Sequence, residues 1–484
     1  MGEIIIIEEY IEKDILRQVK LVEYFYDLKN FEIKTLANNL NVTSETIKRD
    51  LSRIETCLSS KIKNIEIKTP VYTINFIPEV SRYELVKDIY NESKFLKVCS
   101  RYILGTKDYI SIVEHEFISV SKAFQLKKKV EKFLTEHHFF DENSEKYEFN
   151  KRFLILSLWM RCDILDDHVN RHLWELSVNF TDVLLKNFSN NLNNREKNFF
   201  IKSIYLMLSR TETETMTIHG YAFDYMSKSI IVDEMKKISH RFFDNIILDR
   251  LSNYEYIYMA IIFRIVPYNA TNYTVLKMDY EYQRNRIVEM FPQITQLILY
   301  FEQDFKVPLL KNIRFEKPLL NFLISALLGT QLFLVDKHHF LSSRELKLKR
   351  KMISAFERWR LQEEEEFSFS NTAIERFCIE VSPVLYPKFT HHRFILVVAE
   401  SEDAHIEYRE SIATYIAGTD IVLDNTMYYS LSELPEYYEN HIIICENLLL
   451  VDDQKYSHFS IYPISLNYLN DDLKEIFMKI YFNK

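Results

Sequence analysis

Within the run LANNLNVTSETIKRDL, Ala37, Asn41 and Ile47 stand four and then six residues apart. That spacing constrains the local fold more than any other feature of the chain. Two short helices that cross closely need a small residue at the crossing, a turn residue tolerating φ > 0, and an apolar anchor on the second helix. Ala37 is the small residue, Asn41 belongs to the few types that accept left-handed backbone, and Ile47 is the anchor. Thr43 is a natural N-cap for the second helix, its hydroxyl satisfying one of the first free N–H groups. Ile47, Leu51, Ile54 and Leu58 recur at helical spacing and define a buried face. Ser44, Glu45, Lys48, Arg49 and Ser52 then point outward, with Thr46 at the edge. The pattern predicts helices over 13–28, 33–40 and 44–57, with a break at Lys29-Asn30. Two short strands follow within 64–76, around Thr69-Pro70, where a wing belongs.

Residues 81–150 repeat this plan more loosely. SRYELVKDIY, ESKFLKVCSRYIL and DYISIVEHEF are helical, and SVSKAFQLKKKVEKFL follows from Ser119. Helical spacing turns Ala123, Leu126, Val130 and Phe133 inward and Lys122, Lys128, Lys129 and Lys132 outward. HHFFDENSEKYEFN (137–150) is a candidate second wing. A lysine-rich helix face is either a solvated surface or a grip on phosphates, and both readings stay open.

Composition narrows the function classes. A chain of 484 residues with 47% hydrophobic residues can bury several cores, about three to five domains. With only 5 Gly and 10 Pro, a largely helical protein without glycine-rich phosphate loops is expected. Five cysteines without a CxxC pair point to a reducing, cytoplasmic setting and away from structural zinc. MGEIIIIEEY lacks the basic start and the length of a secretory signal. Leu319 to Val335 is barely long enough for a span and carries Asn, Ser, Thr and Gln, so a buried helix is expected there. The net charge of −9 opposes nucleic acid overall. Yet Ser44 to Lys68 holds six Lys/Arg against four acids, and Ser81 to Glu136 eleven against eight. Any nucleic-acid contact must therefore come from a small, focused surface. No GxSxG, Walker A, GxGxxG or HExxH occurs, so no enzyme, cofactor or metal is expected. His168 and His172, read as i and i+4 of one helix beside Asp166 and Asp167, are at most a partial ligand set.

From Lys151 to about Lys388 the pattern is almost continuously helical. NNLNNREKN (190–198) reads as a polar loop, Ile265 to Tyr273 as a junction between two bundles, and EEEE (363–366) as solvated. RFILVVAE (393–400) is a continuous apolar run, as for a strand buried on both faces. A helix near 404–417, DIVLDN, a helix near 431–438, HIIICENLLLV and a helix near 471–481 follow, the alternation of a small α/β domain with a mostly parallel sheet. The expected fold is mainly α and multidomain. It comprises a winged helix-turn-helix (1–78), a second helix-turn-helix (79–150), two helical bundles (151–270 and 271–388) and an α/β domain (389–484).

This order of units, with the LANNLNVTSETIKRDL stretch as its motif, resembles the Mga/AtxA family of Gram-positive regulators. The resemblance covers the whole chain through architecture. It implies that the bundles are phosphotransferase-system regulation domains (PRD-like) and that the last domain is like an enzyme IIB subunit. It also implies promoter DNA as a partner, a homodimer involving the C-terminal domain, and modulation by phosphorylation of bundle histidines by phosphocarrier proteins. By that likeness His172, His219 and His338 are candidate phosphoacceptors; phosphate would make an imidazole a di-anionic switch. IIB subunits carry a phosphocysteine just after the first strand, where this chain reads AESED (Ala399 to Asp403). Cys445 ends a later strand, so a dimerising or sensing domain without catalysis is expected. The function expected is a cytoplasmic transcription regulator, of the global or virulence-activator kind. Thr43, Ser44, Glu45, Thr46, Lys48, Arg49 and Arg53 would lie at DNA, with Lys61, Lys63, Lys68, Lys122, Lys128, Lys129 and Lys132 on phosphates. Two other readings are an RNA-binding antiterminator linked to the same transport system, which would open with a β-rich module, and a protein–protein scaffold, which would show no salt-dependent retention on DNA.

Overall fold

Helix α1 (Lys13–Leu28), strand β1 (Asn30–Glu32), helix α2 (Ile33–Asn39) and helix α3 (Ser44–Cys57) open the chain, followed by β2 (Ile62–Lys68) and β3 (Val71–Phe76). The computed structural model describes residues 7–482 apart from 69, 137–138, 140–146, 191, 218–220, 267–272, 333–336, 364–368, 386–392, 418–420, 435–440 and 451–459. Ala37 and Ile47 are buried at the helix crossing, and Leu51, Ile54 and Leu58 extend that face. Asn41 takes φ +51°, and Thr43 Oγ1 accepts the Thr46 N–H at 3.2 Å. The wing is the antiparallel pair β2–β3; Thr69 lies outside the described residues. The sequence predicts only a break at Lys29-Asn30, but β1 pairs with β3 and completes a sheet of order β1-β3-β2. Three residues with only Phe31 buried are too short for an alternation to announce them.

The second unit contains α4 (Arg82–Asn91), α5 (Lys94–Ile103), α6 (Tyr109–Glu116) and α7 (Val120–Glu136). Its α6–turn–α7 segment repeats α2–turn–α3 in one register. Ile112 is buried as Leu36 is, and Ala123 as Ile47 is. Phe117 takes φ +51° where Asn41 does. Ser119 Oγ accepts the Lys122 N–H at 3.3 Å, as Thr43 accepts that of Thr46. Most of the candidate second wing lies outside the described residues.

Among the described residues seven α-helices follow: α8 (Tyr147–Trp159), α9 (Arg171–Asn187), α10 (Asn194–Arg210), α11 (Tyr221–Ser227), α12 (Ile230–Phe242), α13 (Asn245–Leu248) and α14 (Asn253–Ile265). One hydrophobic core runs from Ile7 to Val266 and also takes in Leu328, so the segments read as 1–78, 79–150 and 151–270 share an interior. Within it Arg152 is fully buried. It donates to Glu148 at 2.7 Å and to both oxygens of Glu255 at 2.6 and 3.0 Å, while Arg210 closes on Glu148 at 2.6 and 2.8 Å. Charges at such depth are tolerated only when paired in this way. Helices α15 (Tyr273–Met290), α16 (Gln293–Phe305), α17 (Ile313–Leu327), α18 (Ser343–Glu363) and α19 (Asn371–Leu385) form the second bundle around phenyl rings such as Phe301, Phe315 and Phe377. Leu319 to Leu327 lies in α17, and no described helix is long and apolar enough to cross a membrane.

The chain divides into two compact units, Met1–Leu385 and Tyr386–Lys484. The second unit holds β4 (Arg393–Val398), α20 (Glu402–Ile416), β5 (Ile421–Leu423), β6 (Ile442–Glu446), β7 (Ser460–Ile464) and α21 (Leu469–Phe482). The four described strands are parallel, in the order β5-β4-β6-β7. Ile395 and Val397 face Tyr408 and Phe477, and Leu396 and Val398 face Tyr428 and Leu431, so β4 is covered on both sides. Strand β7 escapes the sequence pattern because Pro463 interrupts it. At the sheet edge a missing N–H costs no ladder bond. Of the helix expected near 431–438, a single 3-10 turn at Leu431–Glu433 is described.

Candidate nucleic-acid interface

The outward face of α3 is the centre of the site. Ser44, Glu45, Lys48, Arg49 and Ser52 are exposed and Thr46 is half-buried at the edge. The inward face is fixed by more than apolar contact. Asp50 is buried and accepts Arg17 Nη2 at 3.1 Å and Gln18 Nε2 at 3.3 Å, with Arg17 Nε on its other oxygen. These bonds set the roll of α3 against α1, and with it the direction of Arg49. Asp50 stands three residues after Ile47 and four before Ile54, so helical spacing places it on the inward face; its charge disguises that.

The cations around this face fall into two groups. Arg49 and Lys63 are exposed and make no ion pair among the described residues. Lys48 lies 3.8 Å from Glu45, a loose exposed pair that solvent screens. Arg53 is held by Asp14 at 2.6 Å, Lys61 by Asp88 at 2.6 Å and Lys68 by Glu66 at 3.1 Å. Lys61 is therefore braced against α4, and the wing presents Lys63 as its unpaired cation among the described residues.

On α7, Lys122 and Lys128 are exposed without an ion pair among the described residues, and Lys132 pairs with Glu136 at 3.5 Å. Lys129, expected outward with them, is half-buried with its ammonium 5.5 Å from the centre of the Phe95 ring. Burial lowers its pKa. The common register matches Ser44 and Lys48 of α3 with Val120 and Phe124 of α7, both well exposed, beside Phe117 at 93% exposure. The outward face of α7 is therefore apolar at its start and basic further along, a pattern the lysine run conceals.

The three candidate histidines part company. His172 is exposed at the start of α9. His338 is buried, donates its backbone N–H to Glu23 at 2.7 Å and has Nε2 3.6 Å from Glu8, closed to a phosphocarrier in this conformation. His219 lies outside the described residues. The i, i+4 reading of His168 and His172 needs correction. His168 ends a 3-10 turn and Asn170 caps a new helix, so the two do not share a helix face. Among the described residues no group of three or more His, Cys, Asp or Glu is placed to hold a metal.

In the α/β unit the turn after β4 carries no cysteine. The Glu400 N–H there is taken by the Glu446 carboxylate at 2.9 Å, which also accepts Tyr408 OH at 3.1 Å. A protein carboxylate thus takes one of the N–H donors of this turn. Cys445 is buried, and burial pushes its thiol up to about 11.

Helix, turn and capped helix with a polar outward face, followed by a two-stranded wing, define a winged helix-turn-helix of the DNA-binding kind. Residues 12–69 match the family model described as the M protein trans-acting positive regulator (MGA) HTH domain. The N-terminal domain is thus similar to that of Mga-type regulators, a DNA-binding transcription-regulator domain. No curated protein matches the chain.

Proposed function

We propose that the protein is a cytoplasmic regulator that reads promoter double-stranded DNA through α3 laid in the major groove. The observation that carries this reading is Arg49, exposed and unpaired among the described residues, on a helix whose roll is fixed by Asp50 and Ile47. Arginine so presented can take both acceptors of a guanine edge, and Glu45 beside it can accept from cytosine N4. Lys63 from the wing and Lys122 and Lys128 from α7 are the free cations suited to phosphates, which set register and affinity. With so few, log K is expected to fall with log salt at a slope of about −3 to −4.

Finer regulation follows the same lines. Exposure supports His172 as the position at which a phosphotransferase-system carrier could deliver phosphate, and a bundle bearing a new di-anion would shift its packing on the reading units. The missing cysteine after β4, with the Glu446 carboxylate of β6 on the Glu400 N–H there, supports a dimerising or sensing role for the α/β unit rather than phosphotransfer. Activation of virulence-type genes belongs to the same reading.

Titration of the purified full chain with a pool of promoter-length duplexes across a salt series, beside Lys48→Ala/Arg49→Ala, tests the proposal. Salt-dependent binding weakened by the double substitution supports it. A folded protein that leaves DNA unbound at low salt would favour the scaffold reading.

A further inference from the structure

The end of α14 and helices α15, α17 and α19 enclose a cavity of about 310 Å³, within the range of small-ligand sites. Its apolar wall is Phe263, Phe322 and Phe377. Facing them, Gln331 is buried and held rigid, its amide donating to the Phe322 carbonyl at 3.0 Å and its oxygen accepting the Ser370 N–H at 3.0 Å. Three cations line the space, Arg264, Lys317 and Arg376. Arg264 is matched by Asp279 at 3.0 Å and Arg376 by Glu380 at 2.9 Å. Lys317 has no ion pair among the described residues and lies half-buried at the cavity wall. Burial lowers its pKa, with Asp279 and Glu380 only partly opposing. An ammonium withdrawn from water without a counter-ion is unfavourable, and a cavity beside it leaves room for one.

We propose that this cavity binds a small organic monocarboxylate whose charged group pairs with Lys317 and whose apolar body lies against Phe322 and Phe377. The charge count selects the class. Three cations against Asp279 and Glu380 leave one positive charge, which a carboxylate balances. A phosphate monoester, largely di-anionic at neutral pH, would bring an excess beside two carboxylates. Because the walls come from the end of α14 on one side and α15, α17 and α19 on the other, such a ligand touches both bundles at once. The site is independent of how α3 meets DNA.

Benzoate, benzyl alcohol and phenyl phosphate titrated calorimetrically into the full-length protein test this, beside Lys317→Met and Asn321→Trp. Asn321 is exposed at the cavity rim, so the indole fills the entrance without entering the core. Saturable binding of one benzoate per chain in the millimolar range is expected. Benzyl alcohol should bind at least about tenfold more weakly, and each substitution should remove binding by a similar factor. Three results overturn the proposal: no saturable benzoate binding, equal binding of benzyl alcohol and benzoate, or phenyl phosphate binding more tightly than benzoate. Should Lys317→Met fail to fold, undiminished benzoate binding by Asn321→Trp overturns it equally.

Discussion

Glu23, in α1, accepts the backbone N–H of His338 at 2.7 Å, across 315 residues of chain. The same carboxylate pairs with Arg82 at the start of α4. Next to it Tyr24 meets Phe340 edge-on at 5.2 Å, and Lys337 pairs with Asp27. The helix that carries α3 through the Arg17–Asp50 pair is thus bound to a segment far along the chain. A change in residues 337–340 would be felt at α1 and at Phe31 of β1, whose ring Phe340 meets at 4.9 Å.

Burial pushes the Glu23 carboxyl up to about 8, against the opposing pull of Arg82 and the His338 N–H; Glu8 nearby is raised by burial as well. A carboxyl whose folded pKa lies above its unfolded value of 4.5 binds its proton more tightly when folded. Its contribution is complete below that unfolded value and is lost as pH rises toward about 8. The urea midpoint is therefore expected to fall across this window, and Glu23→Gln to flatten the fall. Identical pH profiles for the two proteins would refute the assignment.

Asp50 and Arg49 are neighbours with opposite duties. Asp50→Ala strips Arg17 and Gln18 of their acceptor and is expected to cost about 2 kcal/mol in urea unfolding, partial exposure of Arg17 moderating the loss. Arg49→Ala should leave stability within about 0.5 kcal/mol while weakening specific DNA binding by about 1–3 kcal/mol. Fluorescence anisotropy and urea titration on both variants separate the two; an Arg49→Ala protein binding like the parent would move the reading surface elsewhere.

Phe117 holds a left-handed backbone with its ring in water, whereas Asn41 does the same with a side chain suited to it. Since the left-handed region costs most L-residues about 1–2 kcal/mol, Phe117→Asn is expected to raise stability by about 1 kcal/mol. Thermal unfolding would expose an error here as an unchanged or lowered midpoint.

If α7 lies in DNA as α3 does, Phe124 sits at a position where apolar groups meet thymine methyls. Phe124→Ala should then weaken binding to thymine-bearing duplexes selectively. Lys122→Ala/Lys128→Ala should weaken all duplexes alike and flatten the salt slope by about 2. A competition series with thymine replaced by uracil reads the difference directly, since uracil lacks the methyl.

What could be read in the residues was what depends on neighbours in sequence. The crossing at Ala37, the turn at Asn41, the cap at Thr43 and the anchor at Ile47 all lie within one short stretch, and their chemistry is specific. The rest was settled by contacts that no local pattern announces. Lys61 looks like a wing cation until Asp88 meets it, and Arg53 like a groove residue until Asp14 does. His338 is a phosphoacceptor candidate by likeness alone, yet it is buried with Glu23 on its N–H and Glu8 beside its ring. His168 and His172 stand at helical spacing, yet Asn170 between them caps a new helix, a residue type that is itself a start signal.

The common register of α2–α3 and α6–α7 carries a consequence for how such a chain can diverge. Buried positions recur in both copies, Leu36, Ile47, Ile54 and Leu58 answering to Ile112, Ala123, Val130 and Leu134, while Leu126 stands where Asp50 holds α3. If both copies contact DNA, as proposed, one can drift toward a new operator while the other keeps the molecule on its old promoters. A lineage carrying two such mounts need never lose its grip in order to change its target.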